Sequence, residues 1–83
     1  MQATLKLYAQ LGQYLPSHAA RNEVPVEIPD GTTVWALIDA YNVPRASCHL
    51  VLVNGHYIAP AARGELFVKP GDAVAVWPPV AGG

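Results

Sequence analysis

The residues best suited to chemistry are the last seven, Trp77-Pro78-Pro79-Val80-Ala81-Gly82-Gly83. Pro78 and Pro79 cannot extend a ladder of backbone hydrogen bonds and favour an extended chain, so they end a strand and project the remaining residues away from the body. Gly82 and Gly83 carry no side chain that would obstruct a narrow channel, and they leave a terminal carboxylate sterically open. A carboxylate is a poor electrophile until ATP-dependent adenylation converts it to a mixed anhydride, which a sulfur nucleophile can attack. The reactive centre is then the carbonyl carbon of Gly83 itself, and the spacing predicts a tail built to be inserted into another protein.

The other candidate groups do not assemble into a site. Cys48 beside His49 has the residue types of a nucleophile or a metal ligand, but there is no second cysteine and no His or carboxylate at ligand spacing. Cys48 therefore reads as structural filler, with no metal site expected. His18 and His56 fall in segments that read as loops and are expected to be solvated. No Gly-rich phosphate loop, catalytic carboxylate pair or nucleophile elbow is present. The chain is expected to be a cosubstrate for enzymes, holding no cofactor tightly itself, and not an enzyme.

Composition narrows the partners. A net charge of -1 over 83 residues gives no electrostatic footprint for nucleic acid or anionic lipid. The longest apolar runs are strand-sized, far short of a bilayer span. Proteins and small molecules remain as expected partners. The opening MQATLKLYAQ lacks the basic flank and apolar run of a signal peptide, and one cysteine cannot form an internal disulfide, so a reducing cytoplasm is the expected setting. At 52% hydrophobic residues, a single domain can build its core without staples.

The elements that must position the tail are legible in outline. Residues 3–9 alternate, with Leu5 and Leu7 on one side and Lys6 and Tyr8 on the other, as in a half-buried strand. Residues 10–23 lose the pattern, with one helical turn expected around Gln10 to Tyr14. Alternation returns at VPVEI, where Pro25 restricts the segment to a sheet edge. Thr33 is a candidate N-cap for a helix over VWALIDAY, in which Val34, Leu37, Ile38 and Tyr41 share one face and Trp35 lies off it. Asn42 and Pro44 stop the helix. CHLVLVNG reads as a strand closed by the turn pair Asn54-Gly55, YIAPAARGELFV as irregular with a short strand near Leu66 to Val68, and Pro70-Gly71 as a type II turn before a last strand, AVAVW. Two strands, a helix and further strands give an α+β layer compatible with a β-grasp: a mixed sheet of four to five strands, one face covered by one main helix.

An open sheet face should be polar, and two strands break that rule. Val51, Val53, Val74 and Val76 can face the helix, which leaves Leu50, Leu52 and Trp77 outside. Exposed apolar residues beside the departing tail are expected to contact a partner.

The segments LKLYAQL, DGTTVWALIDAY, LVLVNG and GDAVAVWPPVAGG together resemble the MoaD/ThiS family of ubiquitin-like sulfur carriers, closest to the molybdopterin synthase small subunit. The resemblance covers nearly the whole chain, and its specific part is the ending aromatic-Pro-Pro-Val-x-Gly-Gly. It implies a β-grasp domain over residues 1–77 and a flexible carrier tail over 78–83. It further implies that Gly83 is adenylated by an E1-like adenylating enzyme using ATP and then thiocarboxylated with sulfur from a donor protein. Gly82, Ala81, Val80, Pro79 and Pro78 form the inserted tail, and the implied acceptor complex is the molybdopterin synthase large subunit. Thiamine synthesis, tRNA thiolation and conjugation to lysines are alternative fates. The loop QLGQYLPSHAARN departs from the acidic, helical character of the best-known molybdopterin carriers and points to a sub-branch.

Overall fold

The computed structural model describes residues 1–80. Five strands form one mixed sheet: β1 (Gln2–Leu7), β2 (Glu23–Glu27), β3 (Leu50–Val53), β4 (His56–Tyr57) and β5 (Ala73–Trp77). Their spatial order is β2-β1-β5-β3-β4. The pair β1–β5 is parallel and the other pairs are antiparallel. A single α-helix among the described residues, α1 (Val34–Ala40), covers one face.

The period-two pattern decides which side chains enter the core. Ala3, Leu5 and Leu7 of β1, Val24 and Val26 of β2, Val51 and Val53 of β3, and Val74 and Val76 of β5 are all buried. They meet Val34, Leu37 and Ile38 of α1, also buried, while Tyr41 packs partly against them. Thr33 caps the helix as its sequence position predicts, its Oγ1 accepting from Ala36 N at 3.1 Å. At seven residues α1 is far too short to persist alone, so burial of its apolar face holds it in place. The chain leaves the helix through Asn42, at φ 62°.

The turns carry the expected chemistry. Asn54 and Gly55 both have positive φ, 52° and 84°, as a two-residue hairpin between twisted strands requires. In the turn Lys69–Asp72, Gly71 takes φ 83° and Asp72 N donates to Lys69 O at 3.0 Å, the type II arrangement. Asn54 joins the two turns, with Nδ2 donating to Asp72 Oδ1 and Oδ1 accepting from Ala73 N.

Two expectations are corrected. The segment near Leu66 to Val68 is no strand and makes only a single bridge, Thr33 to Phe67. The fifth strand is instead β4, because the tight turn at Asn54-Gly55 returns the chain at once alongside Leu52 and Val53. His56 therefore lies in a strand and not in a loop, although its side chain is exposed, as is that of His18. Strand β2, with Pro25, does form a sheet edge.

Leu37 is fully buried where α1 meets the sheet. Leu37→Ala should cost about 2–5 kcal/mol, enough to leave so small a domain substantially unfolded, as measured by urea denaturation followed by circular dichroism.

Candidate functional site

The root of the tail lies at the centre of the sheet, because β5 has β1 on one side and β3 on the other. Backbone bonds continue past the regular strands on both flanks. Tyr8 N donates to Val76 O at 3.1 Å, and His49 N donates to Trp77 O at 3.0 Å. The last residues of β5 are thus gripped from two directions just before the prolines.

Beyond Trp77 the two prolines separate in role. Pro78 is buried, whereas Pro79 and Val80 are exposed, Val80 at 76%. An open, mostly apolar hollow of about 390 Å³ lies at this point, lined by Trp77, Pro78, Pro79 and Val80 together with His49 just before β3, Leu50 at its start, and Ala9 and Gln10 after β1. Ala9 holds φ 52°, a left-handed conformation that disfavours a side chain by about 1–2 kcal/mol. A strained residue therefore forms part of the rim.

The outer-face residues anticipated from sequence come together. Leu50 is paired directly with Trp77, and Leu52 with Ala75 in the next row. Leu50, Leu52 and Trp77 are each half-buried. Two aromatics extend the apolar strip: Tyr57, opposite Leu52 on β4, and Tyr8, whose ring stacks on Trp77 with centroids 4.5 Å apart and planes 12° from parallel. Alternation in β1 placed Tyr8 on the outer face. Its partnership with Trp77 follows only from the parallel pairing of β1 with β5. The far side of the same face is charged, with Lys6 Nζ 3.9 Å from a Glu23 carboxylate oxygen. Ala81, Gly82 and Gly83 lie outside the described residues.

Cys48 takes no part in the strip. It is buried, with Sγ donating to Pro44 O at 3.5 Å, and burial pushes its thiol up from the ordinary range despite the opposing pull of the Arg63 charge. A thiol held protonated is a poor nucleophile, which agrees with a packing role. Among the described residues no three His, Cys, Asp or Glu side chains gather as a metal site would require. Just beyond α1, Arg45 makes a two-pronged contact with Asp39 of the helix at 3.1 and 2.7 Å and holds that carboxyl below its usual range, with its guanidinium over the Trp35 ring at 4.8 Å. The residue that sequence reasoning missed is Arg63, buried behind the start of β3. Arginine is ordinarily solvated, and nothing in the local pattern marks this one as internal.

Residues 1–82 match the family described as Mut7-C ubiquitin. No curated protein matches the chain. Among solved structures, SAMP1 from Haloferax volcanii is similar over 100% of both chains, at 27% identity and a TM-score of 0.67. A protein described as molybdopterin converting factor subunit 1 from Pyrococcus furiosus is similar at 25% identity and a TM-score of 0.67, over 95% of this chain and 98% of that one. The complex of subunits 1 and 2 of the molybdopterin-converting factor from Helicobacter pylori contains a chain alike over 100% of both, at 17% identity and a TM-score of 0.60, a likeness of fold alone. The architecture is the ubiquitin-like β-grasp anticipated from sequence, and its neighbours are MoaD-like proteins and a small archaeal modifier.

The Tyr8–Trp77 stack should be measurable as a coupling. In a double-mutant cycle of Tyr8→Ala and Trp77→Ala, urea denaturation should give an interaction of about 0.5–1.5 kcal/mol beyond the two single losses.

Proposed function

The chain belongs to the Mut7-C ubiquitin family, and from that premise we propose that it is a ubiquitin-like sulfur carrier whose tail is charged at Gly83. The observation that carries this reading is the tail root. The central strand is clamped up to a buried Pro78, and an exposed Pro79 and Val80 then emerge beside an apolar hollow and strip. A partner can grip the strip while the tail reaches its reaction centre.

The chemistry resides in the terminal carboxylate. One of its oxygens attacks the α-phosphorus of ATP bound by the activating enzyme, pyrophosphate leaves, and an acyl-adenylate remains. A donor protein's persulfide attacks the acyl carbon through its outer sulfur and AMP departs with the bonding pair; a thiol reductant then cleaves the resulting acyl disulfide, leaving the thiocarboxylate on Gly83 and a disulfide between the reductant and the donor. This chain contributes position: Trp77, Leu50 and Leu52 dock the activating enzyme and the acceptor, and Pro79 to Gly83 span the remaining distance. The likeness to the Pyrococcus furiosus subunit favours a molybdopterin precursor as acceptor, with a large synthase subunit as partner. No helix among the described residues is long and apolar enough to cross a membrane. A reducing cytoplasm would suit both the thiocarboxylate and Cys48.

Two other readings compete with this one. The likeness to SAMP1 favours a modifier joined through Gly83 to protein lysines, which needs the same adenylation but ends in an amide. The match to a ubiquitin-like family shows no activation step, and a plain β-grasp binding module would need none. Adenylation divides the binding module from the first two, and the bond that Gly83 finally makes divides those two from each other.

Pyrophosphate exchange into ATP, catalysed by the adenylating enzyme of the same host, should depend on this chain and vanish when Gly83 is deleted, with the circular dichroism spectrum unchanged. Exchange that persists without Gly83, or that never occurs with the intact chain, defeats the carrier reading. A second outcome concerns tail stiffness. Pro79→Gly frees only the exposed proline and should weaken engagement of a purified large subunit about two- to fivefold, by adding conformers that must be frozen on binding. Pro78→Gly should also lower the melting temperature, because Pro78 is buried. Calorimetric titration and thermal melts of both variants separate the two effects.

A further inference from the structure

Arg63 is the one buried polar or charged residue among the described residues, 1% exposed. It follows the short 3₁₀ turn Pro60–Ala62, in the connection between β4 and β5. Removing a guanidinium from water is costly unless its donors are bonded. Here Nε donates to Ile58 O at 2.9 Å, Nη1 to Cys48 O at 2.9 Å, and Nη2 more weakly to His49 O at 3.4 Å. The Trp35 ring lies 5.4 Å from the guanidinium carbon, and Arg63 forms no ion pair among the described residues. Carbonyl dipoles and an aromatic face thus solvate the cation in place of a carboxylate.

An apolar side chain could fill this volume at lower cost, so the placement of the donors carries the information. Two of the three carbonyls belong to Cys48 and His49, immediately before β3. Cys48 has φ −92° and ψ 79°, outside both helix and strand, so no regular element fixes this backbone. The same backbone forms part of the tail site, since His49 N donates to Trp77 O at 3.0 Å and His49 and Leu50 line the hollow. The path from the buried cation to the tail root is therefore continuous: the Arg63 fork, the Cys48 and His49 carbonyls, the His49 N–H, and Trp77.

We infer that Arg63 is a positioning residue for the tail-root hollow: its fork holds the backbone at Cys48 and His49 and so sets the wall of the hollow against Trp77. The functional meaning of that wall rests on the reading of the tail root as the partner-engaging site. The fork geometry is what matters. Lysine carries the same charge on a flexible stem with a single nitrogen and cannot hold three carbonyls in a plane.

The test compares Arg63→Lys with Val26→Ala, a core truncation on β2 that serves as a control for general destabilisation. Amide hydrogen exchange is followed at His49, on the wall, and at Leu5, in the core of β1. In Arg63→Lys, exchange at His49 should accelerate at least about tenfold more than at Leu5, and the Trp77 indole resonance should shift, because the wall opens locally. In Val26→Ala the two amides should change by similar factors. In chain-dependent pyrophosphate exchange, Arg63→Lys should raise the KM for the chain several-fold with kcat little changed. Equal acceleration at His49 and Leu5 in Arg63→Lys, or none at either, overturns the inference. So does a locally opened wall with an unchanged KM. Should Arg63→Lys fail to fold, Arg63→Gln, which retains an amide donor, is read by the same comparison. A wild-type chain that no enzyme adenylates would defeat the carrier reading, while the exchange comparison would still decide the role of Arg63.

Discussion

The parallel pairing of β1 with β5 is the constraint on which the rest of the molecule depends. Thr4, Leu5, Lys6 and Leu7 lie beside Ala73, Val74, Ala75 and Val76, so the first and last strands are neighbours at the centre of the sheet. Parallel strands cannot be joined by a hairpin and need a crossover. The intervening chain supplies it: β2 folds back on β1, α1 crosses one face, and β3 returns on the far side of β5. The helix covers the inner face as a consequence. The tail then leaves from a strand bonded on both sides, where fraying costs the most.

That topology gives the two faces different tasks. The inner face is a continuous core of Val, Leu and Ile under α1. The outer face is divided, with Tyr57, Leu52, Leu50, Trp77 and Tyr8 toward β3 and the tail, and the Lys6–Glu23 pair toward β2. Trp77 and Tyr8 stack on each other, which stabilises the monomer slightly and also holds a flat aromatic surface in place beside the hollow. Ala9 in a left-handed conformation on the rim and a buried Arg63 behind the wall are both costly placements. Their concentration around one end of β5 is consistent with strain and buried polarity being kept where a site must be shaped.

Much of this was legible in the sequence because short-range signals carried it. Alternation assigned the faces of β1, β3 and β5. The hydroxyl of Thr33, the pair Asn54-Gly55 and the pair Pro70-Gly71 each served their expected ends, and Pro25 marked an edge strand. The features that were missed are those without a local signature. Strand β4 is two residues long, too short to show a period. The Tyr8–Trp77 contact joins residues at opposite ends of the chain, and alternation fixes a face but not a neighbour. Arg63 reads as a surface residue because its compensation comes from carbonyls supplied by distant segments. Pro78 and Pro79 look alike in sequence, and only the packed structure separates the buried one from the exposed one. Of the site residues, Trp77, Leu50 and Leu52 lie on the outer face and Pro78, Pro79 and Val80 at the tail root, while Ala81, Gly82 and Gly83, to which the proposed chemistry is assigned, lie outside the described residues.

The most direct test of a carrier charged at Gly83 is the intact mass of the chain recovered from its native host under non-reducing, mildly acidic conditions. A population heavier by the replacement of one oxygen with sulfur is expected, localised to Gly83 by fragmentation and lost on turnover with an acceptor. A chain recovered only with an unmodified carboxylate, or only in amide linkage to other proteins, would contradict it.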